Sequence, residues 1–457
     1  MEKTTENKRM EFYGGLFGAI LPFIVMVAIM VILTVTKNNG LKCFWVAGLA
    51  ALCVSFLTAK DKKRMHSVAI ESLRDPMFST MVIIFLLAGV LSYLLRDSGL
   101  INGLLWLCTS LHINPGLLPA ATFLIGVVIS TACGTQGGTI STVTPILFPL
   151  AVQMGCSPAV MLGAIIGGAM FGDNLAPISD TTIASSGAFH ANVKDVVQSR
   201  IKYSLIAGVV ALVLFVIFGL STTSAVAVSY TADPSSALTL VMLVIPVVMI
   251  FMMFRGAELV PVLLVCNILA FAFNVIFGFV PLATMITAES PIVKGMDGMT
   301  GVIFFTVWIM IQNGCLKEAG VFDILIEKLS NVCKSARSAE LLSMLVIVVT
   351  IMMTASGTVT IVVSGPVVYQ LFRKFNIDRH RGANFLDGTA CGAGAILPWN
   401  NSLLIMLGLA VATELIPANY SPLNFFPYSF YSFALLAVYV ICAITGLFRK
   451  SDAKNYE

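Results

Sequence analysis

Stretches of about 20 apolar residues, the length that carries a helix across a bilayer, recur along this chain and limit what it can fold into. In the first half they cover 14 to 36, 41 to 59, 78 to 95, 116 to 132, 136 to 154, a broken stretch from 158 to 189, and 203 to 222. In the second half they cover 237 to 254, 258 to 280, 299 to 316, 339 to 354, 358 to 372, a broken stretch from 383 to 416, and 427 to 447. A soluble chain carries about 25% charged residues; this one, of 457 residues, is 11% charged and 58% hydrophobic, with a mean hydropathy of +0.94. The expected fold is all-α and polytopic, with about 11 to 14 membrane segments. The first run is longer than a signal-peptide core of roughly 7–15 residues and no small-x-small cleavage site follows it, so it is read as a retained helix. A net charge of +4 is too small to point to nucleic acid. The ten cysteines are scattered, with no CxxC or Cys/His grouping of the zinc type.

Seven elements in the first half match seven in the second. Leu95-Arg96-Asp97-Ser98-Gly99-Leu100 resembles Leu316-Lys317-Glu318-Ala319-Gly320-Val321 at an offset of 221, and Pro145 matches Pro366 at the same offset. Thr131-Ala132-Cys133-Gly134-Thr135 resembles Thr354-Ala355-Ser356-Gly357-Thr358. Gly168-Ala169-x-Phe171-x-Asp173 resembles Gly382-Ala383-x-Phe385-x-Asp387, and Ala176-Pro177-Ile178-Ser179-Asp180 resembles Leu397-Pro398-Trp399-Asn400-Asn401, which leaves seven extra residues between the last two matches in the second copy.

Charge in the loops orients the copies, because cytoplasmic loops collect Lys and Arg. Loop 60 to 77 holds Lys60, Lys62, Lys63, Arg64 and Arg74, while its counterpart 281 to 298 holds only Lys294. The bias then reverses: 96 to 115 has only Arg96, while 317 to 338 has Lys317, Lys328, Lys334 and Arg337. The turn 155 to 157 has no basic residue, while 373 to 382 has Arg373, Lys374, Arg379 and Arg381; Lys194, Arg200 and Lys202 face a loop at 417 to 426 that has none. The expected organisation is a cytoplasmic N-terminus (1–13), a first transmembrane repeat (14–222), an external linker (223–236), an inverted second repeat (237–447) and a cytoplasmic C-terminus (448–457). Inverted repeats around a midplane site are a plan of secondary transporters. Segments 136 to 154 and 358 to 372 are short and begin with Gly and Thr, so each is read as a full crossing or a re-entrant hairpin.

An Asp at the centre of a membrane helix costs about 2.5–3.5 kcal/mol on insertion scales, which makes one that is present a functional candidate. Asp173, Asp180 and Asp387 are the three. Pro177 lacks an N–H and should free the carbonyl of Asp173, leaving an oxygen-rich cluster of the kind hard cations prefer. Pro398 should do the same for Gly394, beside Asn400 and Asn401. Asn174, Ser179, Thr181 and Thr182 add further oxygens, and interhelical hydrogen bonding is the competing role for them and for Asn400 and Asn401; a structural helix-end cap or half of a buried ion pair is the competing role for each of Asp173, Asp180 and Asp387. The breaks at Gly134-Thr135-Gln136-Gly137-Gly138-Thr139 and Gly357-Thr358 are read as kinks or as hairpin tips that bring backbone oxygens to the site. Two nearby acids in a low dielectric titrate as a coupled pair, so protons should compete with Na⁺ at Asp173 and Asp180, with Asp387 as a repeat-related partner or second cation site. Gly163, Gly167, Gly168 and Gly172 are expected to serve close helix packing. No P-loop is present, which argues against an ATP-driven pump, and no nucleophile-base arrangement suggests an enzyme.

The segment Gly172-Asp173-Asn174-Leu175-Ala176-Pro177-Ile178-Ser179-Asp180-Thr181-Thr182 resembles the NhaC family of Na⁺/H⁺ antiporters in the ion transporter superfamily. That family carries a similar Phe-Gly-Asp-x-x-Ser-Pro-x-Ser-Asp-Thr-Thr stretch after a Gly-Ala run, and an acidic residue with Gly-Thr followed by Pro-Trp-Asn in its second half. The second feature is matched by Asp387-Gly388-Thr389 and Pro398-Trp399-Asn400. Ala176 stands where Ser is usual, and the Gln136 segment replaces a Gly-Thr-Ser-x-Gly-Thr pattern. The resemblance implies that Asp173, Asn174, Ser179, Asp180 and Thr181 belong to a cation site. It implies Na⁺ and H⁺ as transported ions with no cofactor, and a prokaryotic plasma membrane as the setting. A small organic acid or amino acid is the alternative cargo. Expected partners are the lipid bilayer and a second copy in a homodimer, with no nucleic acid.

Overall fold

The computed structural model describes residues 10–36, 42–223, 234–321, 324 and 333–451. The ends of the two termini (1–9 and 452–457), most of the expected linker (224–233) and Lys328 lie outside the described residues. Among the described residues, ten α-helices form the first half: α1 Leu16–Val35, α2 Phe44–Thr58, α3 Lys62–Leu73, α4 Pro76–Asp97, α5 Leu100–Ser110, α6 Leu118–Cys133, α7 Gln136–Gln153, α8 Pro158–Leu175, α9 Asp180–Ala188 and α10 Val193–Thr222. The second half has α11 Val244–Phe254, α12 Leu259–Ile276, α13 Leu282–Met285, α14 Pro291–Gly298, α15 Thr300–Glu318, α16 Ala336–Thr354, α17 Gly357–Lys374, α18 Arg379–Gly394, α19 Asn401–Ala412, α20 Pro422–Phe425 and α21 Phe430–Thr445. Among the described residues, nine helical stretches are long and apolar enough to cross a bilayer, or ten with the bent pair Pro422–Tyr428 and Phe430–Thr445. The protein is thus a multi-pass membrane protein. Segments α7, α17, α18 and α19 are not among the nine, because they are short or carry the polar residues that the interior uses.

The repeat is more regular than the local sequence matches suggest. Helices α6 and α16 end at Cys133 and Thr354, α7 and α17 begin at Gln136 and Gly357, α8 and α18 at Pro158 and Arg379, and α9 and α19 at Asp180 and Asn401. Every one of these pairs is 221 residues apart. The seven extra residues of the sequence alignment therefore disappear, and Asp173, near the end of α8, corresponds to Gly394. Asp387 lies about two turns before that point in α18, so it is no counterpart of Asp173. The hairpin tips shift too: Gly134 and Ala355, both left-handed (φ 66° and 55°), are the equivalent C-caps. Runs of small residues recur in closely packed helices, which is how Gly-Ala-x-Phe-x-Asp matched out of register.

Small residues set how closely the first repeat packs. A Cβ on Gly168 would meet the carbonyl of Phe123 on α6, and one on Gly172 would meet Ser130 and Thr131; Ser130 Oγ in turn donates to Ala169 O at 2.6 Å. Two asparagines seven residues apart share a face of α12 and clamp α4, with Asn267 and Asn274 donating to the carbonyls of Leu87 and Leu94. At the far end of α4, Arg96 donates to Glu414 Oε2 at 2.8 Å and holds that carboxyl below the usual carboxylate range.

Two basic residues assigned to loops are buried. Arg200 lies within α10 and is 0% exposed; Arg381 lies in α18 and is 2% exposed. Arg381 forks onto Glu340 of α16, Nε to Oε1 at 2.8 Å and Nη2 to Oε2 at 3.0 Å, and Arg449 closes on the same carboxylate. Removing one partner of a buried pair costs about 3–5 kcal/mol. Glu340→Gln should therefore lower the melting temperature of the purified protein sharply, while retention of wild-type melting would show that the pair carries no such weight.

Candidate cation site

The site forms where each repeat's helix break meets the other repeat's hairpin. Helix α9 packs on α17, and α19 packs on α7. Ser402 Oγ of α19 donates to Gln136 Oε1 at the start of α7 (2.8 Å); its equivalent, Thr181 of α9, lies beside Gly357 at the start of α17. Contact i to j is thus matched by j to i, the pattern of a two-fold relation.

Asp173 is buried at the last turn of α8. Its Oδ2 accepts from Gln136 Nε2 (2.8 Å) and its Oδ1 from Ser179 Oγ (2.9 Å). Ser179 Oγ is 2.9 Å from Thr181 Oγ1; since Ser179 gives its single proton to Asp173, Thr181 donates to Ser179. The Thr181 lone pairs are then free to face a cation. Asp180 opens α9, where a carboxylate is favoured by the helix dipole, and its Oδ2 accepts from Thr358 Oγ1 of the other repeat at 2.6 Å.

A cavity of about 200 Å³ joins these groups. Its polar walls are equivalent positions of the two repeats: Thr135, Gln136, Gly137, Asp173, Asp180 and Thr181 face Ser356, Gly357, Thr358, Gly394, Asn401 and Ser402, each pair separated by 221. Both carboxylates come from the first repeat, and the lining contains no Lys, Arg or His. Thr358 also lines a second cavity of about 440 Å³, beside Glu71 and Ser72 of α3, Asp75 and Glu318. The exposed Asp180 end is therefore the end that meets this larger space.

The proline breaks act differently from the sequence expectation. The carbonyl of Asp173 accepts from Ala176 N–H (3.2 Å) and that of Gly394 from Leu397 N–H (3.1 Å), so neither is left without a donor. Pro177 is exposed, and Pro398 is half-buried; neither lines the cavity. Asn400 caps α19 through Ser402 N–H and ties the break to the hairpin tip through the carbonyl of Ala355 (3.2 Å). Gly134 plays the matching part: a Cβ there would collide with Ile178 in the first break. Asn174, Thr182 and Asp387 are buried but lie off the cavity. Asp387 is ion-paired with Arg200, so the paired role holds for it in place of an open cation site. Sequence reasoning singled out neither Gln136 nor Ser402. Gln136 looked like part of a glycine-rich break, and Ser402 meets it only through the packing of α19 on α7.

The model of the Na⁺/H⁺ antiporter family matches residues 14–220 and again residues 222–447. The chain belongs to the Na⁺/H⁺ antiporter family. It is similar to the Na⁺/H⁺ antiporter NhaC of Alkalihalophilus pseudofirmus, at 23% identity over 70% of this chain and 74% of that one. It is likewise similar to the malate-2H⁺/Na⁺-lactate antiporter of Bacillus subtilis (21% identity; 74% and 75% of the two chains). A third relative is the arginine/ornithine antiporter ArcD of Halobacterium salinarum (23%; 66% and 68%). Exchange across a membrane is common to these names, while the cargo differs.

The Gln136–Ser402 bond gives a test of the site's architecture. A double-mutant cycle on stability, with Gln136→Ala and Ser402→Ala, should return a coupling of about 0.5–1.5 kcal/mol, the net worth of one hydrogen bond. Strict additivity would contradict the contact.

Proposed function

We propose that this protein exchanges Na⁺ for H⁺ across the prokaryotic plasma membrane, with both ions competing at Asp173 and Asp180. The observation that carries this reading is the cavity lining: two carboxylates, several hydroxyls and amides, and no basic side chain. Hard cations take oxygen shells, and Asp173 Oδ1, Asp173 Oδ2, Asp180 and Thr181 offer one that a proton can displace. An organic anion would find no cationic partner there, so the organic-acid form of the alternative is disfavoured. A solute bearing an ammonium group remains the second reading, supported by the uncharged wall of the second repeat and by a volume larger than a bare ion requires.

In this reading the termini and the basic segment 60 to 77 face the cytoplasm, by the distribution of Lys and Arg. The second cavity, lined partly by α3, is then the route from the cytoplasm to Asp180. Alternating access would come from movement of the hairpins and broken helices of the two inverted repeats around the site. Asp173, with fixed donors from Gln136 and Ser179, would be the main exchanging carboxylate, and Asp180 the one that meets the arriving ion.

Reconstituted protein should dissipate an imposed pH gradient when Na⁺ is added with no organic solute present. Dissipation that needs an added amino acid would overturn the leading reading in favour of the second. The apparent KM for Na⁺ should rise as pH falls, because protonation removes the carboxylate that Na⁺ needs; the maximal rate at saturating Na⁺ should change much less. Asp173→Asn should abolish exchange in a folded protein, and wild-type rates in that variant would remove Asp173 from the mechanism.

A further inference from the structure

Arg200 is held in a way that sets it apart from the other buried arginine. Arg381 meets Glu340 as a fork, two nitrogens on two carboxylate oxygens, the geometry a planar guanidinium favours. At Arg200 three oxygens gather on the single nitrogen Nη1: the carbonyl of Asn174 (2.6 Å), Thr182 Oγ1 (2.8 Å) and Asp387 Oδ2. Its Nε donates to Asn384 Oδ1 (2.9 Å), while Nη2 is buried with no acceptor among the described residues. Asp387 gives only one oxygen to the arginine, and Cys391 Sγ donates to the other (3.2 Å).

With an idle Nη2 and three oxygens on Nη1, the guanidinium does not use its fork on the carboxylate. The oxygens come from the two sides of the α8–α9 break, Asn174 before it and Thr182 after it, together with a carboxylate from α18. A backbone carbonyl at an interrupted helix, a hydroxyl and a carboxylate are the groups with which broken-helix transporters hold Na⁺. We propose that Arg200 is a tethered cation seated in a second hard-cation shell, formed by Asn174 O, Thr182 Oγ1 and Asp387, and that it keeps a second exchangeable Na⁺ out of the protein. The shell itself stands on geometry alone; its consequence for the number of ions per cycle rests on the Na⁺/H⁺ reading of the neighbouring cavity.

The test counts Na⁺ bound per purified protein, by calorimetry or isotope binding, in wild type, Arg200→Gln and Arg200→Lys. Arg200→Gln should bind one Na⁺ more than wild type, and its melting temperature should rise with NaCl but not with choline chloride. Adding Asp173→Asn to Arg200→Gln should leave that extra ion in place. Arg200→Lys, which restores a tethered point charge but no fork, should return to the wild-type count. A folded Arg200→Gln with the wild-type count would overturn the proposal, as would Arg200→Lys behaving like Arg200→Gln. Should Arg200→Gln be unfolded in choline, NaCl should restore its folding; failure in both salts would count against the proposal. If wild type binds no Na⁺ at all, the reading of the main cavity fails, while an increment of one ion in Arg200→Gln still supports the second shell.

Discussion

A carboxylate held away from water must find its partners within the protein, and Asp173 draws on both halves of the chain to do so. Its own repeat supplies Gln136 and Ser179, but Gln136 is itself held by Ser402 of the other repeat. One of the two donors is therefore held in its orientation by Ser402 only while α19 rests on α7. Burial of an unsatisfied ionised group is far more costly than burial of a hydrogen-bonded one. In the proposed reading, binding at Asp173 and the relative position of the repeats would be linked energetically, as an exchanger whose empty site should not leak requires. Hydroxyls of Ser179 and Thr181 extend the network toward Asp180, whose other contact, Thr358, again belongs to the opposite repeat.

Duplication builds the cavity, and substitution gives it a chemical direction. The same positions line it from both repeats, yet Asp173 faces Gly394 and Asp180 corresponds to Asn401. A strictly symmetric site would hold four carboxylates in one low-dielectric space, where like charges repel strongly. Concentrating both acids in one wall leaves the other wall small and neutral. Asp387, the third aspartate that the sequence singles out, does not restore the balance because Arg200 neutralises it outside the cavity. The buried arginines thus divide the polar interior into an open pair of carboxylates and closed ion pairs that hold helices together.

Much of this was legible in the sequence because membranes make polar residues conspicuous. Apolar run lengths pointed to the helical, multi-pass character, and the cost of intramembrane acids singled out Asp173, Asp180 and Asp387, of which the first two line the cavity. Arg200 and Arg381 were not legible as interior residues. Each sits beside polar neighbours that suit a loop, and the partners that bury them, Asp387 and Glu340, lie 187 and 41 residues away (387 − 200; 381 − 340). The register between Asp173 and Asp387 failed for a related reason: glycine and alanine spacing reports close packing, and close packing occurs at many registers. Gln136 was hidden inside a segment whose glycines drew attention to the backbone, although its side chain does the bridging. The repeat offset of 221 was present in Pro145 and Pro366, and applying it throughout would have paired Gln136 with Gly357 and Ser402 with Thr181; the contact between Gln136 and Ser402 follows only from the packing of α19 on α7.

The central claim is that Na⁺ and protons compete for the same carboxylates in this cavity. Its most direct test is the number of protons released per Na⁺ bound, obtained by titrating the purified protein with NaCl in buffers of different ionisation enthalpy. The account predicts proton release on Na⁺ binding in wild type, and loss of that release when Asp173 and Asp180 are replaced by asparagine. Na⁺ binding without proton release, or release that persists in the doubly substituted protein, would contradict it.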